Sequence, residues 1–151
     1  MTKRMLLFVP TFVFVFTTLM SAQWSSDPAV NNAIVRTSNN QTGQQIISDG
    51  KGGAIICWHD ERVQSSSFDV YAQRIDKDGY VRWTINGVAI AVDFGSQSKP
   101  DIVADGAGGA FITWTDTRAG DNDVYAQRID SSGNVLWTKD GVVVADGALV
   151  T

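Results

Sequence analysis

Two stretches of the chain carry the same order of apolar and polar positions. Residues 46–91 read IISDGKGGAIICWHDERVQSSSFDVYAQRIDKDGYVRWTINGVAIA, and residues 102–145 read IVADGAGGAFITWTDTRAGDNDVYAQRIDSSGNVLWTKDGVVVA. In the second, residues 101–104 (DIVA) form a short β-rich run. It ends in the turn cluster Asp105-Gly106-Ala107-Gly108-Gly109, whose glycines permit positive φ. Residues 110–115 (AFITWT), rich in β-branched and aromatic side chains, predict a second strand. A polar loop over 117–122 separates it from a third, residues 123–129 (DVYAQRI). The tight turn Asp130-Ser131-Ser132-Gly133 leads to a fourth run at 134–138 (NVLWT), and Asp140-Gly141 leads on to 142–145 (VVVA). No segment holds apolar residues at helical spacing over helical length, so the pattern predicts an all-β fold.

A recurrence of about 55 residues marks a tandem repeat, in which each unit needs its neighbours to cover its apolar faces. Four short strands per unit of this size describe a propeller blade. On that reading residues 33–35 (AIV) open the first unit, 88–91 the second and 142–145 a third. The first blade covers residues 31–85, the second 86–140, and 141–151 begin another. A propeller ring takes about four to eight blades, and two open blades leave apolar faces and strand edges bare. The expectation is the front part of a longer ring, with assembly of several copies, a homo-oligomer, as the alternative.

Ahead of the repeats, Lys3 and Arg4 precede the apolar run of residues 5–20, and the small residues Ser21 and Ala22 follow it. This layout predicts a signal peptide over residues 1–22, cut after Ala22, with a lead-in at 23–30. The run falls short of the about 20 residues of a membrane helix. A secreted or cell-surface location follows, without a stable membrane span after cleavage; the alternative is an uncleaved N-terminal anchor.

Composition changes the picture in two respects. The formal net charge of −4 supplies no basic footprint, which argues against a nucleic-acid partner. Cys57 is the single cysteine and forms no disulfide within the chain; Thr113 takes its place in the second repeat, so both read as small strand side chains.

The candidate chemistry is sparse. Trp58, Asp60 and Arg62 stand at alternate positions, as do Trp114, Asp116 and Arg118, so a continuing strand puts each trio on one face. A sugar platform and a packed Trp with a structural Asp–Arg pair both fit. Recurrence in both repeats favours packing. Trp83, Trp137, Tyr71 and Tyr125 read as core. The acidic turns Asp76-Lys77-Asp78-Gly79 and Asp121-Asn122-Asp123 raise calcium as a minority alternative to no cofactor, since neither continues into the spaced ligands of a loop site. The carboxylates Asp60 and Asp69 invite comparison with glycoside hydrolysis, yet both recur, as Asp116 and Asp123. His59, Glu61 and Phe68 break the repeat and make no recognisable catalytic set.

The segments DGKGGAIICWHDER and DGAGGAFITWTDTR, each followed by DVYAQRID and a Gly turn into Trp83 or Trp137, resemble the tandem β-propeller repeats of secreted and cell-surface bacterial proteins. Residues 130–137 are also similar to the docking motif of quinoprotein-type propellers, whose Trp packs between blades. The resemblance implies a non-catalytic structural, adhesive or protein-interaction module, part of a larger exported protein, with a protein or glycan partner. A lectin-like propeller using Trp58, Asp60, Arg62, Trp114, Asp116 and Arg118 is the alternative. A fragment of a propeller glycosidase or quinoprotein comes third. The resemblance carries no catalytic residues over to this chain.

Overall fold

A sheet that is apolar on both faces has to be covered twice, and among the described residues each sheet covers one face of the other. The computed structural model describes Asp27, Ala29 and residues 31–63 and 67–147. The expected leader at 1–22 lies outside the described residues. Eight strands follow in order: β1 (Gln41–Ser48), β2 (Ala54–Asp60), β3 (Asp69–Ile75), β4 (Val88–Ala91), β5 (Gln97–Ala104), β6 (Ala110–Asp116), β7 (Asp123–Ile129) and β8 (Val142–Ala145). They form two four-stranded antiparallel sheets, β1-β2-β3-β4 and β5-β6-β7-β8, and no helix occurs among the described residues. The protein is all-β.

The β1–β2 and β5–β6 turns are built by one aspartate each. Asp49 Oδ1 accepts from the backbone N–H groups of Lys51 and Gly53, both at 2.8 Å. Asp105 Oδ1 does the same for Ala107 at 2.8 Å and Gly109 at 2.9 Å. A side-chain oxygen thereby replaces the acceptors that a tight turn leaves out. Upstream, the register of β1 on β2 slips between Thr42 and Gln45, and that of β5 on β6 between Ser98 and Asp101. Gly43 and Lys99 hold positive φ at these bulges, and Pro100 sits in the second, where it breaks no ladder hydrogen bond.

The fourth strands differ from the sequence expectation. Residues 134–138 form no strand; Val135 makes one bridge to Ile129, and Val81 one to Ile75. Instead β4 and β8, expected to open the following unit, close their own sheets: Tyr71 pairs with Ala89 and Tyr125 with Val143. Residues 33–35 form no strand either. The cause is a buried glutamine. Gln73 Nε2 donates to the Thr84 carbonyl at 2.7 Å and its Oε1 accepts from Trp83 N–H at 3.0 Å. Gln127 binds Thr138 and Trp137 identically, both at 2.9 Å. A side chain satisfies backbone that a ladder would otherwise have taken, and the segment becomes a strap.

Cross-strand pairing sorts the side chains. Ile55 lies opposite Arg74, Cys57 opposite Ala72 and His59 opposite Val70, all on one face of the first sheet. That face meets Ala110, Ile112, Trp114 and Ile129 of the second sheet, and together they form the core, with β5 lying across β1, β2 and β3. Each fully buried isoleucine contributes about 1.5–3 kcal/mol. Polar ties cross the same seam. The Trp83 indole and the Arg74 guanidinium both donate to the Ser131 carbonyl, at 3.2 and 3.0 Å. Gln97 N–H donates to the Phe68 carbonyl at 2.6 Å.

Replacing Gln73 by leucine strands the Trp83 N–H and the Thr84 carbonyl. It is expected to lower unfolding free energy by about 2–3 kcal/mol in urea titration. Gln127→Leu, beside the more open Trp137, is expected to cost less.

Candidate functional site

In β2 the side chains of Trp58 and Asp60 share one face, and the chain turns back immediately after. Asp60 ends the strand, so Arg62 lies beyond it and not on a continuing strand as the sequence suggests. The Trp58 indole N–H donates to Asp60 Oδ2 at 2.9 Å, the Arg62 guanidinium to the same oxygen at 2.5 Å, and the Arg62 backbone N–H to Oδ1 at 2.8 Å. Tyr71, directly across in β3, stacks with Trp58 at 6.4 Å and carries the Arg62 guanidinium over its ring at 3.7 Å. Gly87, at φ 96°, leaves the space that the edge of the Trp58 ring fills; a Cβ there would stand 2.7 Å from it.

The second repeat reproduces every contact. Trp114 donates to Asp116 Oδ2 at 2.8 Å and Arg118 to the same oxygen at 2.5 Å, while Tyr125 lies under Arg118 at 4.1 Å. Arg118 also reaches Asp93 Oδ2 at 3.0 Å and the Asp140 carbonyl at 2.8 Å. Both tryptophans are sealed, 3% and 2% exposed, and both carboxylates are fully buried. In each repeat the arginine Nε–H has no hydrogen-bond partner among the described residues, the same omission twice. The guanidinium gains its remaining stabilisation from the tyrosine face. The six residues named as a sugar platform are thus brought together, but neither indole presents a free face for stacking.

Electrostatics follow from this packing. Burial pushes the Asp60 carboxyl up, but the Arg62 guanidinium, the Trp58 indole and the Arg62 amide together hold it below the ordinary carboxylate range; Asp116 behaves likewise. Asp69, directly opposite Asp60, goes the other way. Desolvation and the neighbouring Asp60 charge raise it to about 6, and its buried Oδ2 has no hydrogen-bond partner among the described residues.

Of the residues that break the repeat, His59 and Phe68 sit at the seam between the sheets. His59 Nδ1 accepts from Lys99 N–H at 3.2 Å, which leaves Nε2–H to donate to Thr42 Oγ1 at 2.7 Å. Its ring lies 4.4 Å from Phe68, and burial lowers its pKa. Glu61 turns away to accept from Asn40 Nδ2 at 2.7 Å. With both ring nitrogens engaged, His59 is a cross-sheet strut. Cys57 is buried, and desolvation pushes its thiol up to about 12.

In the acidic turns, Asp76 Oδ1 accepts from Asp78 N–H and Tyr80 N–H, both at 3.0 Å, and Asp123 Oδ1 accepts from Gly147 N–H at 2.7 Å. Among the described residues no three His, Cys, Asp or Glu side chains converge as metal ligands. A shallow hollow of about 290 Å³ lies between the β1–β2 and β5–β6 turns, lined by Asp49, Gly50, Ala104, Gly106 and Gly108. Sequence reasoning missed Gln73 and Gln127, whose polarity suggests surface positions; their recurrence at one place in both DVYAQRI segments was the available signal. Comparison with known protein families, curated proteins and solved structures finds no match to this chain.

Two predictions follow from the charges. Asp60→Ala strands a buried guanidinium and an indole N–H and is expected to cost about 3 kcal/mol in urea titration. The depressed carboxyls of Asp60 and Asp116 stabilise the fold above their unfolded value of 3.8, and this is lost as pH falls through their folded values. Asp69, raised to about 6, stabilises fully below 3.8, and its contribution is lost as pH rises through about 6. From these three groups thermal stability is therefore expected to be greatest near pH 3.8 and to fall as pH rises to about 6, with Asp69→Asn flattening that descent.

Proposed function

We propose that the chain is an exported β-propeller repeat module with a structural, adhesive or protein-interaction role, without catalysis of its own. The observation that carries this reading is the burial of both Trp–Asp–Arg trios. Residues that recur in the two repeats are consumed in holding strands together and in packing one sheet on the next. Two antiparallel meanders stacked face to face are also the arrangement that neighbouring blades would have.

What varies lies in the loops. The β2–β3 connection at 61–68 is longer than its counterpart at 117–122 and has a different sequence. Loops fixed to a rigid sheet are where recognition is usually carried, so partner contact belongs there rather than on the repeated residues. The leader-like residues 1–22 support delivery outside the cell, where a protein or glycan partner would be met.

Two measurements test this. Trp114→Ala is expected to abolish the β-sheet circular dichroism signal. A folded Trp114→Ala protein that loses measurable glycan binding would establish the lectin reading instead. Expression with the leader is expected to yield a chain beginning at Gln23 outside the cytoplasm; an uncut cytoplasmic chain overturns the export part.

A further inference from the structure

The seam between the two sheets serves as a template for the faces left bare. In the first sheet, the side that packs on the second carries Ile47, Ile55, Val70, Trp83 and Ile90. The corresponding positions of the second sheet hold Val103, Phe111, Val124, Trp137 and Val144, and no described residue seals them. Trp83 is 7% exposed and Trp137 39%; Ile90 is 2% exposed and Val144 62%. The opposite ends mirror this. Ile102 packs against the core from the second sheet, whereas its counterpart Ile46 is 65% exposed on the outer side of the first.

The polar half of the template is present at both ends as well. Trp83 and Arg74 reach the Ser131 carbonyl, and Gly133 makes room for the indole, since a Cβ there would stand 2.7 Å from it. On the bare ends, Trp137 and Arg128 take the places of the two donors. The carbonyl of Lys77 takes the place of the acceptor. It lies in a turn of the same construction, in which Asp76 Oδ1 binds Asp78 and Tyr80 N–H as Asp130 Oδ1 binds Ser132 and Asn134 N–H. Gly79, at φ 83°, stands where Gly133 stands, at φ 91°.

We propose that the outer face of the second sheet docks on the outer face of the first sheet of another copy of this chain, head to tail. The occupant is a second copy because the chain itself carries the face that already solves this packing problem at its internal seam. The contact is heterologous: one face is used on each side, so copies join into a ring if the rotation closes and into an open chain if it does not. An apolar face with an exposed Trp at its rim is also what a monomer seldom leaves bare. The proposal does not depend on export or on any partner.

Val103 and Ile46 decide the matter, because each is largely exposed in the single chain, 60% and 65%, and each sits on one of the two faces. The full chain, purified as its host processes it, is examined by light scattering from micromolar to submillimolar concentration, with circular dichroism to follow folding. Concentration-dependent assembly is expected. Val103→Asp alone and Ile46→Asp alone are each expected to weaken it more than tenfold, since every contact uses both faces. Mixed in equal amounts, the two variants retain one intact pair of faces and are expected to give a one-to-one dimer and nothing larger. If either aspartate variant loses its fold, Val103→Thr and Ile46→Thr replace the pair, with the same pattern expected. A folded chain that stays monomeric throughout overturns the proposal, as does assembly indifferent to both substitutions. Loss with Val103→Asp but not with Ile46→Asp also overturns it, because that pattern describes a symmetric contact of the second sheet with itself.

Discussion

A fully buried carboxylate has to be answered by donors on every side, and in each repeat Asp60 or Asp116 is answered from its own neighbourhood. The indole two residues before it and the amide and guanidinium two residues after it close around the same two oxygens. This forces the chain to leave the strand at the aspartate and bend back. Once it has bent, the arginine lies over the tyrosine of the next strand, and the tryptophan edge fills the gap left by the glycine before the fourth. One ion pair therefore joins the second strand, the third strand and the approach to the fourth. Removing a charged partner from such a cluster costs more than forming it gains, so it acts as a lock on geometry more than as a source of stability.

The glutamine strap is the second constraint. It converts residues 80–84 and 134–138 from strand into a hydrogen-bonded band that holds each tryptophan at the rim of its sheet. From that rim Trp83 reaches the turn of the following repeat, which links the interior of one sheet to the surface of the next. Local satisfaction of backbone groups and packing between sheets are thus handled by adjacent residues.

The residue pattern reveals the turns and central strands directly, because Asp-Gly pairs and β-branched runs have a local physical cause. DGKGG and DGAGG form turns, and AIICWHD and AFITWTD form strands, where their own residue types place them. The fourth strand is not legible in this way. Residues 134–138 and 142–145 are equally β-rich, and a glutamine several residues upstream, buried against expectation, decides between them. The Trp–Asp–Arg trio lies in between. Alternation correctly places Trp58 and Asp60 on one face, yet whether that face is open or sealed depends on Tyr71 and Gly87, which arrive from other strands and turns. A side chain's accessibility is a property of the assembled sheet.

Gly133 lies directly beneath the Trp83 ring, and its lack of a side chain sets how near one sheet stands to the next at that edge. The distance at one edge, measured against the isoleucine and valine contacts in the middle, is a wedge angle. The spacing of these two sheets at that edge is thus held by a single missing methyl group. A larger residue at that turn would push the Trp83 ring away and open the wedge.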